Sequence, residues 1–148
     1  MPIRKTTKHF VLHCSATRAI QDIGAKEIRG WHVNGNGWAD IGYHFVIRRD
    51  GRLEKGRAID AVGAHVANHN SNTLGICLVG GLNDKTYQPE NNFTAAQWAT
   101  LKKLIADLLK RYPGATILGH RDFPKVAKAC PCFDAKVWAK KNGFPAAP

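Results

Sequence analysis

Two histidines and one cysteine are the residues of this chain best suited to metal chemistry: His13, His120 and Cys130. Zinc prefers nitrogen and sulfur ligands in a tetrahedral arrangement, and a catalytic zinc site leaves its fourth position to water. His13 ends an apolar run, His120 follows a second short run, and Cys130 lies ten residues further on. Because strand ends and adjoining loops can converge, a shared metal site is one interpretation. The spacing matches no zinc finger and no His-Glu-x-x-His helix is present, so structural roles stay open.

Covalent catalysis is less favoured by the same sequence. Cys14 stands next to His13, but neighbouring residues of an extended strand point to opposite faces, so they would not form a thiol-imidazole pair. Ser15 lacks the Gly-x-Ser-x-Gly context of a serine nucleophile.

Short β-type runs alternate along the chain with amphipathic segments. Strands are predicted over residues 9–14, 43–49, around 53, 74–79 and 116–118. The Asp50-Gly51 pair indicates a hairpin turn between the second and third runs. Cys77 falls inside the fourth run, where a cysteine usually behaves as a small hydrophobic residue.

Three helices are predicted. The longest begins at Thr94, with Gln97 completing a capping box, and ends before Pro113. Its apolar residues recur at helical spacing: Trp98, Leu101, Ile105, Leu108 and Tyr112. Two shorter helices are predicted over residues 25–33 and 134–141, with four residues expected to be buried: Ile28, Trp31, Val137 and Trp138. Interleaved strands and helices indicate an α/β fold with a central mixed β-sheet flanked by helices.

Composition and charge limit the classes of protein to consider. The 148 residues suit a single domain, 1–148, with a core over about 9–142 and a short tail over 143–148. The net charge of +11 favours an anionic partner, which includes nucleic acid, a membrane surface or a wall polymer, although a solvated basic surface explains it equally. No DNA-binding module, transmembrane segment or signal peptide is recognisable, so we expect synthesis in the cytosol and reduced cysteines.

Four ordered strings carry a family resemblance. They are VLHCSAT at 11–17, IRGWHVNGNGWADIGYHFVIRRDG at 28–51, LGICLVGG at 74–81 and LGHRDFPKVAKACPCFD at 118–134. Together they resemble the type 2 N-acetylmuramoyl-L-alanine amidases, and among these the lysozymes of T7-type phages. The resemblance spans about residues 10–138. The stretch from His120 to Cys130 is two residues longer than in many relatives, and Asn68 stands where many have glycine.

The resemblance implies both a fold and a set of site residues. The fold is one shared with animal peptidoglycan recognition proteins, with one Zn²⁺ in an open cleft. His13, His120 and Cys130 match the zinc ligands of the family, while Tyr43 and Lys128 match the residues needed for turnover. His65 falls in a loop that borders the cleft in relatives and is expected to contact substrate. The family pattern gives no ligand role to Cys132.

The implied activity is hydrolysis of the amide bond between N-acetylmuramic acid and L-alanine in bacterial peptidoglycan, as in a phage endolysin acting in host lysis. The enzyme would be a monomer, made in the host cytoplasm and acting on the wall after release. Three alternatives remain at this point: a non-catalytic peptidoglycan-binding module, a regulator that binds phage RNA polymerase as some relatives do, and a structural zinc or disulfide domain.

Overall fold

A five-stranded mixed sheet forms the centre of the fold in a computed structural model that describes residues 1–148. In spatial order its strands are β4 (Leu53–Lys55), β3 (Phe45–Ile47), β5 (Thr73–Leu78), β1 (His9–Cys14) and β7 (Thr116–Gly119). Only β4 is antiparallel to its neighbour. Two short strands, β2 (Thr17–Arg18) and β6 (Gly81–Leu82), pair in a separate sheet. The mixed α/β architecture predicted from sequence is confirmed.

Three α-helices accompany the sheet: α1 (Ala25–Gly30), α2 (Ala95–Arg111) and α3 (Ala135–Lys141). Thr94 and Gln97 form the predicted capping box on α2, and the Asp134 side chain accepts a hydrogen bond from the Val137 amide to cap α3. A π turn (Trp31–Gly35) extends α1, and a 3-10 turn (His120–Asp122) follows β7. No helix has both the length and the apolar character needed to cross a bilayer.

One face of the sheet carries the main apolar core. Because successive residues of a strand alternate between faces, β1 turns Phe10 and Leu12 toward this side, and α2 covers it with residues such as Leu101 and Ile105. The side chains of these four residues are almost fully buried. Full burial of each such side chain stabilises the fold by roughly 1.5–3 kcal/mol, so this face anchors the sheet.

The opposite face of the sheet has two smaller apolar clusters with polar residues near them. One cluster lies under α1 and includes Ile28, Val46 and Cys77; the other contains Val11 and Leu118. His13 stands on this second face, since it pairs in register with Cys77 and lies two residues beyond Val11. Strand alternation thus puts His13 and Cys14 on opposite faces, as predicted.

Two residues predicted to be buried are exposed. Ile28 is buried as expected, but Trp31 is 46% exposed, because α1 ends at Gly30 and the regular helical spacing that predicted its burial gives way to the π turn at Trp31. Val137 is also 46% exposed, since α3 packs through the small residues Ala135 and Ala139, two positions away on either side. Trp138 is partly buried and stacks on Trp98.

Both chain ends are bound to the rest of the protein. Within the tail predicted over 143–148, residues 145–147 are held against the sheet: the Ile117 amide donates to the Pro145 carbonyl and the Ala147 amide donates to the Ile117 carbonyl, each at 2.9 Å. This segment satisfies backbone groups on the free edge of β7. At the other end, the Arg4 amide donates to the Asp60 carbonyl at 2.6 Å. Asn68, which stands where many relatives have glycine, adopts a left-handed conformation with φ of 68°, which asparagine tolerates.

Candidate metal centre

The three predicted ligands converge at one point on the second face. One donor atom from each of His13, His120 and Cys130 lies within 4.8 Å of the other two. The two imidazole rings have centroids 4.7 Å apart, and Cys130 Sγ lies 3.9 Å from His13 Nδ1. His13 is therefore close enough to share one ion with two residues that lie more than a hundred positions away in sequence.

Strand register explains why His120 reaches His13. Strand β7 pairs with β1 only as far as Gly119, which is opposite Leu12. The chain then turns into the 3-10 segment, and the Asp122 carboxylate accepts a hydrogen bond from the Gly119 amide at 2.8 Å. His120 consequently leaves the sheet directly beside the end of β1.

Because β7 ends at Gly119, the loop that carries Cys130 can pack beside the end of β1. The Cys14 amide has no partner on β7 and instead donates to Cys130 Sγ at 3.2 Å. Gly119 allows the loop to come this close, because a Cβ there would lie 2.8 Å from Cδ of Pro131. The Arg121 amide donates to the Cys130 carbonyl at 2.9 Å and holds the loop from its other side.

The donor set fits zinc. Two imidazole nitrogens and one thiolate sulfur are ligands that zinc accepts, and three protein ligands leave one tetrahedral position for water or substrate. His13 is 1% exposed, whereas His120 and Cys130 are half-buried at the edge of the cleft. Burial lowers the pKa of both histidines, and the positive charge of Lys128 lowers it further. Both rings are therefore neutral, which is the form that binds a metal.

An open cleft of about 1010 Å³ lies beside the three candidate ligands. Its walls come from the π turn and the segment after it, from the loop before β5 and from the loop that follows the 3-10 turn. Four predicted site residues line it: Tyr43, His65, His120 and Lys128. Of the three candidate ligands, His120 lines this cleft directly.

Tyr43 lies immediately beside the candidate ligand His13. Its ring centroid is 4.9 Å from that of His13, and burial raises the pKa of its phenol well above its usual value. The side chain is therefore a neutral hydroxyl, able to donate or accept a hydrogen bond.

Arg57 holds the segment that carries Tyr43, a role with no motif in the sequence to signal it. Its amide donates to the Tyr43 carbonyl at 2.8 Å, and its guanidinium donates to the carbonyls of Asp40, Ile41 and Val62. Arg57 is 8% exposed and forms these bonds without a carboxylate partner. Only the folded backbone brings these carbonyls together around one side chain.

Lys128 is exposed to solvent, whereas His65 is buried. Lys128 lies on the loop that lines the cleft, and its positive charge contributes to the lowered pKa of both His13 and His120. His65 is 8% exposed, and burial lowers its pKa to about 3. Both of its ring nitrogens have protein partners, His13 and Thr73, so any contact with substrate would involve the carbon edge of the ring.

Cys132 lies outside the group of three donors. Its Sγ is 3.8 Å from Cys14 Sγ and 3.4 Å from the Gly81 carbonyl oxygen. Cys14 faces the main core, on the side of the sheet away from His13. The four cysteines are all free thiols, so no disulfide holds this fold together.

Comparison with known proteins finds relatives along almost the whole chain. A family model described as N-acetylmuramoyl-L-alanine amidase matches residues 4–133. The endolysins of Klebsiella phage KP32 and Escherichia phage T7 are 50% and 47% identical over 139 residues, which is 94% of this chain and 89% of each relative. The solved structure of the Ph2119 endolysin from a Thermus scotoductus bacteriophage superposes with a TM-score of 0.76 at 30% identity, covering 97% of this chain and 89% of that one.

Proposed function

This chain belongs to the N-acetylmuramoyl-L-alanine amidase family, and from that premise we propose that His13, His120 and Cys130 hold one catalytic Zn²⁺. The enzyme hydrolyses the amide bond between N-acetylmuramic acid and L-alanine in peptidoglycan, as an endolysin. The convergence of two imidazoles and one thiol at an open cleft carries the zinc assignment. A non-catalytic binding module is not favoured, because the cysteine ligand and the lysine beside it are both present.

Each ligand contributes a defined property to the site. His13 and His120 offer neutral ring nitrogens, and Cys130 offers a sulfur that already accepts a hydrogen bond from the Cys14 amide. When bound there, zinc supplies Lewis acidity, which lowers the pKa of water to about 7 and polarises a carbonyl oxygen. The half-buried side of the site faces the cleft, so the scissile amide can approach from that direction.

Two further side chains are assigned to the chemical step. The exposed ammonium of Lys128 stabilises the negative charge that develops on the amide carbonyl oxygen in the transition state. The uncharged carbonyl of the bound substrate is stabilised much less, so this interaction lowers the barrier. The neutral hydroxyl of Tyr43, close to His13, orients water or carries a proton to the leaving amine. His65 can contact substrate only through its carbon edge.

The setting of the reaction follows from the endolysin relatives. We propose synthesis in the host cytoplasm and action on the wall after release. Binding to a phage RNA polymerase and a monomeric state stay predictions of the family resemblance.

The function is tested with purified protein and isolated peptidoglycan. Cleavage should release new N-terminal alanine, should stop when a chelator removes the metal, and should return when zinc is added. Released ends are measured by amino-terminal labelling and by a reducing-sugar assay, and the metal by elemental analysis. New reducing ends would identify a glycosidase, and full activity in metal-free protein would contradict the zinc assignment.

Attachment to the wall should depend on salt. The net charge of +11 favours binding to anionic polymers, and exposed charges more than about 8 Å apart are largely screened at physiological ionic strength. Raising the salt concentration should therefore weaken sedimentation of the protein with intact walls, while cleavage of a small soluble muropeptide changes much less. Equal salt dependence for both substrates would show that the basic surface does not hold the enzyme to its substrate.

A further inference from the structure

A chain of hydrogen bonds runs from the ligand His13 into the protein interior. His13 Nε2 lies 2.8 Å from His65 Nδ1, and His65 Nε2 lies 3.2 Å from Thr73 Oγ1. Thr73 Oγ1 lies 2.7 Å from the His69 carbonyl oxygen. His13 and Thr73 are almost fully buried and His65 is 8% exposed, so every link is shielded from water.

The hydrogen bond between Thr73 and the His69 carbonyl determines which group donates in each of the other hydrogen bonds. A carbonyl oxygen can only accept, so the Thr73 hydroxyl donates to His69 and has no proton left for His65. His65 Nε2 must therefore carry a hydrogen and donate to Thr73. Because no carboxylate contacts the buried His65 ring, the ring is neutral and its Nδ1 is an acceptor. His13 Nε2–H then donates to it, which leaves the lone pair of His13 on Nδ1.

We propose that His65 and Thr73 act as positioning residues, which hold His13 in the tautomer and orientation that present Nδ1 to the metal. His13 Nδ1 is the nitrogen that faces Cys130, at 3.9 Å. The inference rests on the proposed zinc site and extends it to two residues that touch neither the metal nor the reacting atoms. A ligand histidine usually donates its second N–H to a carboxylate, carbonyl or water, and loss of such a partner typically weakens metal binding 10–100-fold.

The packing around His65 supports a fixed position for its ring. A Cβ at Gly75 would lie 2.7 Å from His65 Cγ, so the ring lies directly against the backbone of β5. The Asn70 side chain accepts hydrogen bonds from the amides of His65 and Val66, both at 2.9 Å. These contacts fix the backbone and the ring separately, as expected for a side chain whose orientation matters.

Asparagine and glutamine at position 65 test the proposal as a matched pair. The asparagine amide can place an oxygen near the position of histidine Nδ1, whereas the longer glutamine reaches toward Nε2. Zinc affinity is measured by chelator competition without substrate, together with the melting temperature of the metal-free proteins. His65→Gln should bind zinc 10–100-fold more weakly than wild type, and His65→Asn should restore most of the affinity at a similar melting temperature of the metal-free form.

A second pair of variants tests the Thr73 hydroxyl, whose hydrogen bond to the His69 carbonyl makes His65 Nε2 a donor. Thr73→Val removes the hydroxyl with little change in shape, whereas Thr73→Ser keeps it. Zinc affinity should fall in Thr73→Val and stay near wild type in Thr73→Ser. The positioning role would be overturned if His65→Gln and His65→Asn bound zinc with equal affinity and Thr73→Val and Thr73→Ser did so too. Wild-type protein that fails to bind zinc at all would instead refute the proposed function, so the two failures are distinguishable.

Discussion

Cys130→Ser is expected to lose most of its zinc and all measurable amidase activity. A neutral serine hydroxyl replaces the sulfur ligand that zinc prefers, and the remaining ligands, His13 and His120, hold the ion poorly. The loss of zinc affinity should exceed the roughly 100-fold that follows loss of a residue hydrogen-bonded to a ligand. Zinc content by elemental analysis, zinc affinity by chelator competition and release of N-terminal alanine measure this result.

Cys132→Ser is the matched control for this experiment. It makes the same atomic change two residues away on the same loop, but its sulfur contacts Cys14 and Gly81 instead of the histidines. Cys132→Ser should keep one zinc per chain and near wild-type activity. His13→Ala should behave like Cys130→Ser, with His9→Ala on the same strand as its control. A Cys130→Ser protein with tightly bound zinc and wild-type turnover would remove Cys130 from the ligand set.

Lys128→Ala is expected to keep stoichiometric zinc and a folded structure while kcat falls about 100-fold to 1000-fold. The reason is that a positive charge beside the carbonyl oxygen acts mainly in the transition state, and removal of one such group typically costs that much. Tyr43→Phe should also retain zinc, with a loss in kcat within the 10²–10⁴ range associated with proton transfer by a positioned side chain. Steady-state kinetics on a soluble muropeptide, with zinc content measured in parallel, checks both variants.

Each of these variants has a control outside the cleft. Lys102→Ala removes the same charge from the exposed side of α2, and Tyr87→Phe removes the same hydroxyl from a residue that is 57% exposed. Both controls should retain wild-type kcat. A fully active Lys128→Ala would end the role assigned to that lysine, and loss of zinc from Tyr43→Phe would mean that Tyr43 supports the metal site instead of the chemical step.

The sequence by itself predicted the three α-helices and the strands of the central sheet, but not the short strands β2 and β6 or the π and 3-10 turns. Strand β1 matches its predicted limits, the Thr94–Gln97 capping box starts α2, and Asp50-Gly51 joins β3 to β4. These features depend on local chemistry: alternation of apolar residues, side chains that satisfy free amides, and turn residues that tolerate unusual backbone angles. Local rules failed where helix rotation or packing decided the outcome, as at Trp31 and Val137, both of which are exposed.

The site needed more than local chemistry. Spacing left His13, His120 and Cys130 open to structural roles, and only the family resemblance selected them from the sequence. Their convergence depends on β7 ending opposite Leu12, which frees the Cys14 amide for Cys130 and places His120 beside His13. Nothing in the sequence indicated that His65 and Thr73 support His13. Nothing indicated that Arg57 binds the segment of Tyr43 either, because strand register and loop packing bring together atoms far apart in sequence. Hydrogen bonds of that kind exist only after the backbone has folded.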